Sequence, residues 1–284
     1  MRALAAAIQP HAQGDMTVAT GRDTFMRMTL TLVAILSLAA MAAPAMAADA
    51  TIPTYVAAAV ASPLRDARDR ARDKGNRPAE VLAFAGAKPG DRVADFWPTP
   101  PYSTGLLSGV VGPAGRVYAI VPPKLFKDVP QAEPVVKGGL AVFPNVTMVV
   151  QAFDVFAVPE ALDVVWLGKI YHDFPNVAEM GPLDTAAVNR AIFRALKPGG
   201  ILIVVDHAAR KGSGFRDTEP DEKKRLHRID PEVVKADMAD AGFRLIAESA
   251  LLANPADDYT KSPFDPALRN HTDRFVMKFR KPER

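Results

Sequence analysis

The chain has no cysteine, only two tryptophans and five tyrosines, and almost no excess charge: 35 Lys and Arg stand against 32 Asp and Glu, a formal net of +3 over 284 residues. Without cysteine there is no disulfide, no thiolate metal site, no cysteine nucleophile, no iron–sulfur cluster and no lipid anchor on cysteine. The near-balance of charge, with no clustered basic face, argues against a nucleic-acid partner. Long apolar runs are missing too. The one apolar stretch, residues 30–43, falls short of the ~20 residues that cross a bilayer. What remains is ordinary for a globular protein, with 49% hydrophobic and 24% charged residues, so global disorder is excluded. The 25 prolines exceed the usual ~5%.

Residues 26–48 carry Arg27, then the short apolar run, then the small-x-small triplet Ala45-Met46-Ala47. That is the pattern of a secretory signal peptide, so residues 1–47 are expected to be an N-terminal extension plus a signal cut after Ala47. Met16, Met26 and Met28 are each candidate starts. No twin arginine precedes the apolar run, which points to export of an unfolded chain. The expected product is soluble, without a membrane anchor, in a bacterial periplasm. Residues 48–76 read as a lead-in followed by an exposed helix, since 63–76 alternate in charge and contain little that is apolar.

From residue 77 onward a strand–helix rhythm sets in. Short apolar runs at 91–96, 116–121, 146–150, 162–167, 201–205, 243–249 and 274–280 are separated by Pro/Gly turns and, at 185–196 and 231–241, by helical patterns. The middle runs are continuously apolar rather than alternating, as expected of parallel strands covered on both faces. This argues for a doubly wound α/β domain over 77–284. Residues 122–144, rich in Pro and Gly, read as a loop insertion.

The segments KPGDRVADFWP, GPAGRVYAI, LDVVWLGKIYHDF, ALKPGGILIVVDHAA and NPADDY occur in an order that resembles the class I S-adenosylmethionine-dependent methyltransferases, and more narrowly bacterial methyltransferase-like proteins, some of them exported. The resemblance implies a Rossmann-like seven-stranded sheet in the order 3-2-1-4-5-7-6, the last strand antiparallel. It implies S-adenosylmethionine as cofactor and a small molecule as methyl acceptor. It places cofactor contacts at Asp95, Trp97, Thr99 and Tyr102 after strand one and at Gln151, Ala152 and Phe153 after strand three. Two departures stand out. Where relatives carry a glycine cluster, this chain has Thr99-Pro100-Pro101, and proline fixes φ and removes the N–H donor. Where an acid should meet the ribose, after strand two, it has Val121-Pro122-Pro123. The glycine motif is therefore degenerate. The alternative to methyl transfer is a non-methylating protein that uses the same crevice for another ligand or partner.

His172 and His207 follow strands four and five, whose carboxyl ends share an edge of the sheet, and are the candidate acid–base residues. His227 stands just before the helix at Pro231 and could join the same polar cluster; His271 reads as structural. A metal held by His172, Asp173, Asp206 and His207 is a weaker variant, because their spacing matches no ligand motif; no metal is expected. Asp95 either contacts the cofactor or caps the proline turn. Trp97 and Tyr102 either stack on a ligand or fill the space that glycine would leave.

Overall fold

The computed structural model describes residues 51–176, 180–181, 183–268 and 271–283. The expected extension and signal peptide, residues 1–47, lie outside the described residues. Seven strands form one sheet: β1 (Arg92–Phe96), β2 (Arg116–Val121), β3 (Val146–Val150), β4 (Leu162–Gly168), β5 (Leu196–His207), β6 (Arg244–Ser249) and β7 (Arg274–Arg280). Their order is β3-β2-β1-β4-β5-β7-β6, with β7 antiparallel to both of its neighbours and the β3-to-β5 pairs parallel. This is the expected doubly wound, Rossmann-like sheet.

The apolar runs are continuous because successive side chains enter different cores. Along β4, Leu162, Val165 and Leu167 join one cluster while Val164 and Trp166 join the other. Strand β5 repeats this, with Leu202 and Val204 on one face and Ile203 and Val205 on the opposite one. One face is covered by α1 (Thr54–Ala61), α4 (Pro78–Ala85) and α5 (Tyr102–Val111), which bury Val56, Leu82 and Leu107. The other is covered by α8 (Thr185–Ala195) and α9 (Pro231–Asp240), through Val188, Ile192, Val234 and Met238. Helix α4 has Pro78 in its first turn and ends at Gly86, whose φ of 75° is the left-handed stop that glycine permits. Asp184 and Asp230 cap α8 and α9 through the backbone N–H groups of Ala186 and Glu232.

Two expectations need correction. The charged stretch 63–76 is not one exposed helix. It forms α2 (Ala67–Ala71) and α3 (Asp73–Asn76), and Arg65, Asp69 and Asn76 are buried. Charge is tolerated there because it is matched: Arg65 donates to both carboxylate oxygens of Asp73 at 2.9 and 2.6 Å and to the Val60 carbonyl at 2.6 Å. Residues 122–144 are not a loop either. They hold α6 (Pro123–Asp128) and α7 (Ala132–Ala141), and α7 packs Val136 and Leu140 against Ala119 and Val121 of β2. Its apolar positions are spaced by four residues, so one narrow stripe was enough for a helix despite the glycines. No helix among the described residues is long and apolar enough to cross a membrane.

Candidate functional site

A cavity of about 480 Å³ opens at the carboxyl ends of β1, β4 and β5. Its apolar wall comes from α4 and α5, with Leu82, Leu106 and Leu107, and from Trp166 and Leu252. Its polar wall is made by the segments that leave the strands, with Lys169, His172, Asp173, His207, His227 and Arg274. Both tryptophans of the chain, Trp97 and Trp166, line it. Gly168 permits this arrangement at the end of β4, because a Cβ there would stand 2.6 Å from Trp166 Nε1. Three of the cavity residues, Trp97, Lys169 and His227, hold left-handed φ angles of 61°, 63° and 49°. Such conformations cost side-chain-bearing residues energy and concentrate where a site needs them.

The turn after β1 is closed on itself. Trp97 N–H donates to the Ile120 carbonyl at 3.0 Å, Thr99 N–H to Trp97 at 2.8 Å, and Tyr102 N–H to Pro100 at 2.8 Å. Pro98, Pro100 and Pro101 have no N–H to offer. Every backbone donor from 97 to 102 is therefore absent or spent. Asp95, fully buried, accepts from Ser103 Oγ at 2.9 Å and Thr104 Oγ1 at 2.6 Å, while its Oδ1 has no partner. Burial pushes its carboxyl up to about 7, and the two hydroxyls only partly offset this. Asp95 thus braces the first turn of α5, the second of its two expected roles, and is not part of the cavity wall.

Beyond Tyr102 the N-terminal segment closes the cavity. Tyr102 Oη donates to Asp73 Oδ1 at 2.7 Å, and the Arg72 guanidinium lies 4.5 Å from its ring centroid. Lys169 Nζ and Arg274 Nη1 both donate to Asn76 Oδ1 at 2.9 Å. Desolvation lowers the Lys169 amine to about 7, with Arg274 and Arg72 adding to the effect and Asp206 opposing it.

The histidines meet within electrostatic reach of Lys169 and Arg274. His172 and His207 do converge, with ring centroids 5.9 Å apart, and His227 is a third member, 5.5 Å from His172. Asp206 organises the group: fully buried, it accepts from His172 N at 2.9 Å and from His207 N at 2.7 Å, and its Oδ1 lies 2.6 Å from His172 Nδ1. Burial pulls the His172 imidazole down, but Asp173 and Asp206 outweigh it and raise it to about 9. His207 differs. Its Nδ1 faces Thr272 Oγ1 at 2.7 Å, and desolvation, reinforced by Lys169 and His172, holds it well below the usual range and neutral. His227 N donates to Asp217 Oδ2 at 2.5 Å, which fixes its left-handed backbone. Residues 211–225, a charged segment, are tied down at their far end: Arg225 is buried against Asp173 and Glu222, and Asn176 holds the carbonyls of Asp217 and Glu219 at 3.1 and 3.0 Å.

Among the expected site residues, Trp97, Thr99, Tyr102, His172 and His207 line the cavity; Asp95, Gln151, Ala152 and Phe153 do not. Gln151 Oε1 accepts from Ala157 N at 2.9 Å, and Phe153 is buried in an aromatic cluster 5.0 Å from Phe96 and 5.7 Å from Phe174. His227, expected as a possible member of the histidine cluster, lines the cavity as well, while Lys169, Arg274, Asn76 and Glu222 are lining residues that the sequence did not single out. Lys169 had a usable signal, since it follows a central strand directly. The others are brought in by chain segments whose return to the sheet edge has no local signature.

No known family model matches the chain, and no curated protein matches it. Among solved structures, an arsenic(III) S-adenosylmethionine methyltransferase from Chlamydomonas reinhardtii superposes with a TM-score of 0.51 at 17% identity, covering 82% of this chain and 74% of that one. The fold is that of the class I methyltransferases. A SAM-dependent methyltransferase from Aquifex aeolicus aligns at 19% identity over 74% of this chain and 97% of its own, with a TM-score of 0.46. A putative methyltransferase in complex with the Haloferax volcanii Trm112 activator aligns at 16% over 81% and 98%, with a TM-score of 0.49. At these identities the likeness describes the fold.

The residues of this chain do not fit S-adenosylmethionine in the manner that the fold would use. Such a sheet binds nucleotide-like cofactors through free backbone N–H groups after β1 and an acid after β2. Here the N–H groups of 97–102 are spent or absent, β2 runs into Pro122 and Pro123, and Gln151 and Phe153 are turned into their own loop and the core.

Proposed function

We propose that this chain uses the class I methyltransferase fold to bind a small organic anion with an apolar body, and does not transfer a methyl group from S-adenosylmethionine. The observation that carries the reading is the closed turn 97–102, whose own backbone donors are all absent or spent where a methyltransferase cradles its cofactor. The cavity beside that turn supports the ligand class. Leu82, Leu106, Leu107 and Trp166 supply an apolar wall, and Arg72, Lys169 and Arg274 supply positive charge on a site partly screened from water. A carboxylate or phosphate placed there offsets the burial, and the smaller repulsion from Arg274 and Arg72, that lowers the Lys169 amine. His172 and His207, in opposite protonation states on one wall, can hold and accept a proton from a ligand between them.

Methyl transfer to a small-molecule acceptor is the competing reading, and its support is the fold. The two differ in what occupies the cavity. Because both tryptophans line it, intrinsic fluorescence reports occupancy directly. Titration with an amphipathic carboxylate that does not emit where tryptophan does, such as phenylacetate, is expected to give a saturable change, and S-adenosylmethionine none. A saturable response to S-adenosylmethionine alone would reverse the assignment.

Export to the periplasm is part of the proposal, supported by Arg27, the apolar run 30–43 and Ala45-Met46-Ala47. Mass spectrometry of the protein recovered from its native host is expected to find a chain starting at Ala48; an intact N-terminus sinks the export reading.

A further inference from the structure

The polar end of the cavity contains an arrangement that neither the fold nor the proposed anion site explains. His172 Nε2 lies 3.2 Å from Asp173 Oδ1, and His227 Nδ1 lies 3.6 Å from the same oxygen. One ligand-type atom from each of these three residues lies within 4.8 Å of the other two. A tetrahedral ion with bonds of about 2.0–2.1 Å sets its ligands roughly 3.3 Å apart, so the two shorter separations are already near that value. All three side chains are buried, and all three line the cavity.

The far side of each imidazole is the second observation. His172 directs Nδ1 at Asp206 Oδ1, 2.6 Å away, and His227 directs Nε2 at Glu222 Oε1, 3.1 Å away. A histidine whose outer nitrogen donates to a carboxylate can give up the proton of its inner nitrogen to an entering metal ion, and this backing is the usual companion of a metal-bound imidazole. Here both histidines have it, and their inner nitrogens converge on one carboxylate. Charge agrees. Asp173, Asp206, Asp217 and Glu222 surround the group, and Arg225 is the guanidinium that reaches Asp173, Asp217 and Glu222. Three of these carboxylates share the one guanidinium of Arg225, which leaves them with oxygen lone pairs to offer.

We propose that His172, Asp173 and His227 form a binding site for a first-row divalent transition-metal ion, with Asp206 and Glu222 as the residues that orient the two imidazoles. Two nitrogens and one carboxylate oxygen suit zinc, ferrous iron or cobalt, and leave coordination positions open toward the cavity. The site shares His172 with the polar wall of the anion cavity and uses none of Arg72, Lys169 and Arg274. It also differs from the set expected from sequence, because His227 replaces His207, whose Nδ1 is engaged by Thr272.

The test uses the full-length protein, stripped with a chelator and titrated with Co²⁺. One equivalent is expected to give visible d–d absorption, which Zn²⁺ then bleaches, and either ion is expected to raise the melting temperature by mass action. His227→Ala and His172→Ala are expected to abolish the absorption, and Asp206→Asn to weaken binding about 10- to 100-fold. His271→Gln, at an exposed histidine elsewhere, is expected to leave it unchanged. A wild-type protein that shows neither absorption nor a melting shift overturns the proposal, as does an unchanged spectrum in His227→Ala. If the variants fail to fold, the wild-type titration decides alone. Repeating the tryptophan titration with chelator present separates the two readings: a carboxylate response without metal uptake rejects the metal site only.

Discussion

Asp95 offers a sharp test of the physical account of the turn after β1. Its carboxyl is fully buried, accepts from Ser103 and Thr104, and titrates near 7 rather than near 3.8 because burial disfavours the charged form. Between those two values the folded protein holds a proton that the unfolded chain has released. The folded state then binds more protons than the unfolded one, so stability must fall as pH rises through that window and level off above about 7. The shift of about three units corresponds to a ceiling of roughly 4 kcal/mol, of which about 3 kcal/mol should appear between about pH 5 and pH 8. Asp95→Asn removes the titration and keeps an oxygen for the two hydroxyls. Its new amide replaces the Oδ1 that has no partner. Urea unfolding of wild type and variant in parallel cancels every other titrating group. The stability of the variant relative to wild type is expected to grow with pH, from a small difference at about pH 5 to roughly 3 kcal/mol at about pH 8. Parallel stability curves across that range would refute the buried-carboxyl account.

The cavity and its supports yield three more expectations. Lys169→Met is expected to weaken binding of an amphipathic carboxylate by about 10- to 100-fold, the loss of a charge-assisted hydrogen bond worth about 1.5–3 kcal/mol, as read by tryptophan fluorescence. Because the Lys169 amine titrates near 7, the wild-type affinity for that carboxylate should fall as pH rises above this value and should fall less in the variant; a pH-independent affinity contradicts the anion site. Arg65→Met strips the buried partner from Asp73 and the cation near Tyr102, and is expected to destabilise the fold by about 3 kcal/mol with a lower melting temperature.

The sheet was legible in the sequence because seven apolar runs punctuated by Pro/Gly turns leave few ways to arrange parallel strands, and the family resemblance fixed their order. The candidate site was legible only where it grows directly from strand ends. His172 and His207 follow β4 and β5, and both reach the cavity. Trp97, Thr99 and Tyr102 do so after β1. Gln151 and Phe153 follow β3 in the same way but miss it, because Gln151 closes its own loop on Ala157 and Phe153 finds an aromatic core beside Phe96. The other wall was invisible for a different reason. Asn76 and Glu222 arrive on segments held by ion pairs and buried side-chain bonds, such as Arg65 to Asp73 and His227 N to Asp217, and such pairing leaves no periodicity. The stretch 63–76 looked solvated because its charges alternate; alternation also lets opposite charges neutralise each other under cover, as Arg65 and Asp73 do.

The central claim is that the closed proline turn excludes S-adenosylmethionine while the cavity beside it accepts a small organic anion. Isothermal titration of the purified protein with S-adenosylmethionine tests it most directly. The account predicts no saturable heat up to millimolar cofactor, alongside a saturable response to an amphipathic carboxylate. A stoichiometric isotherm for S-adenosylmethionine in the micromolar range would contradict it, and would show that the turn from Trp97 to Tyr102 rearranges to free its backbone donors.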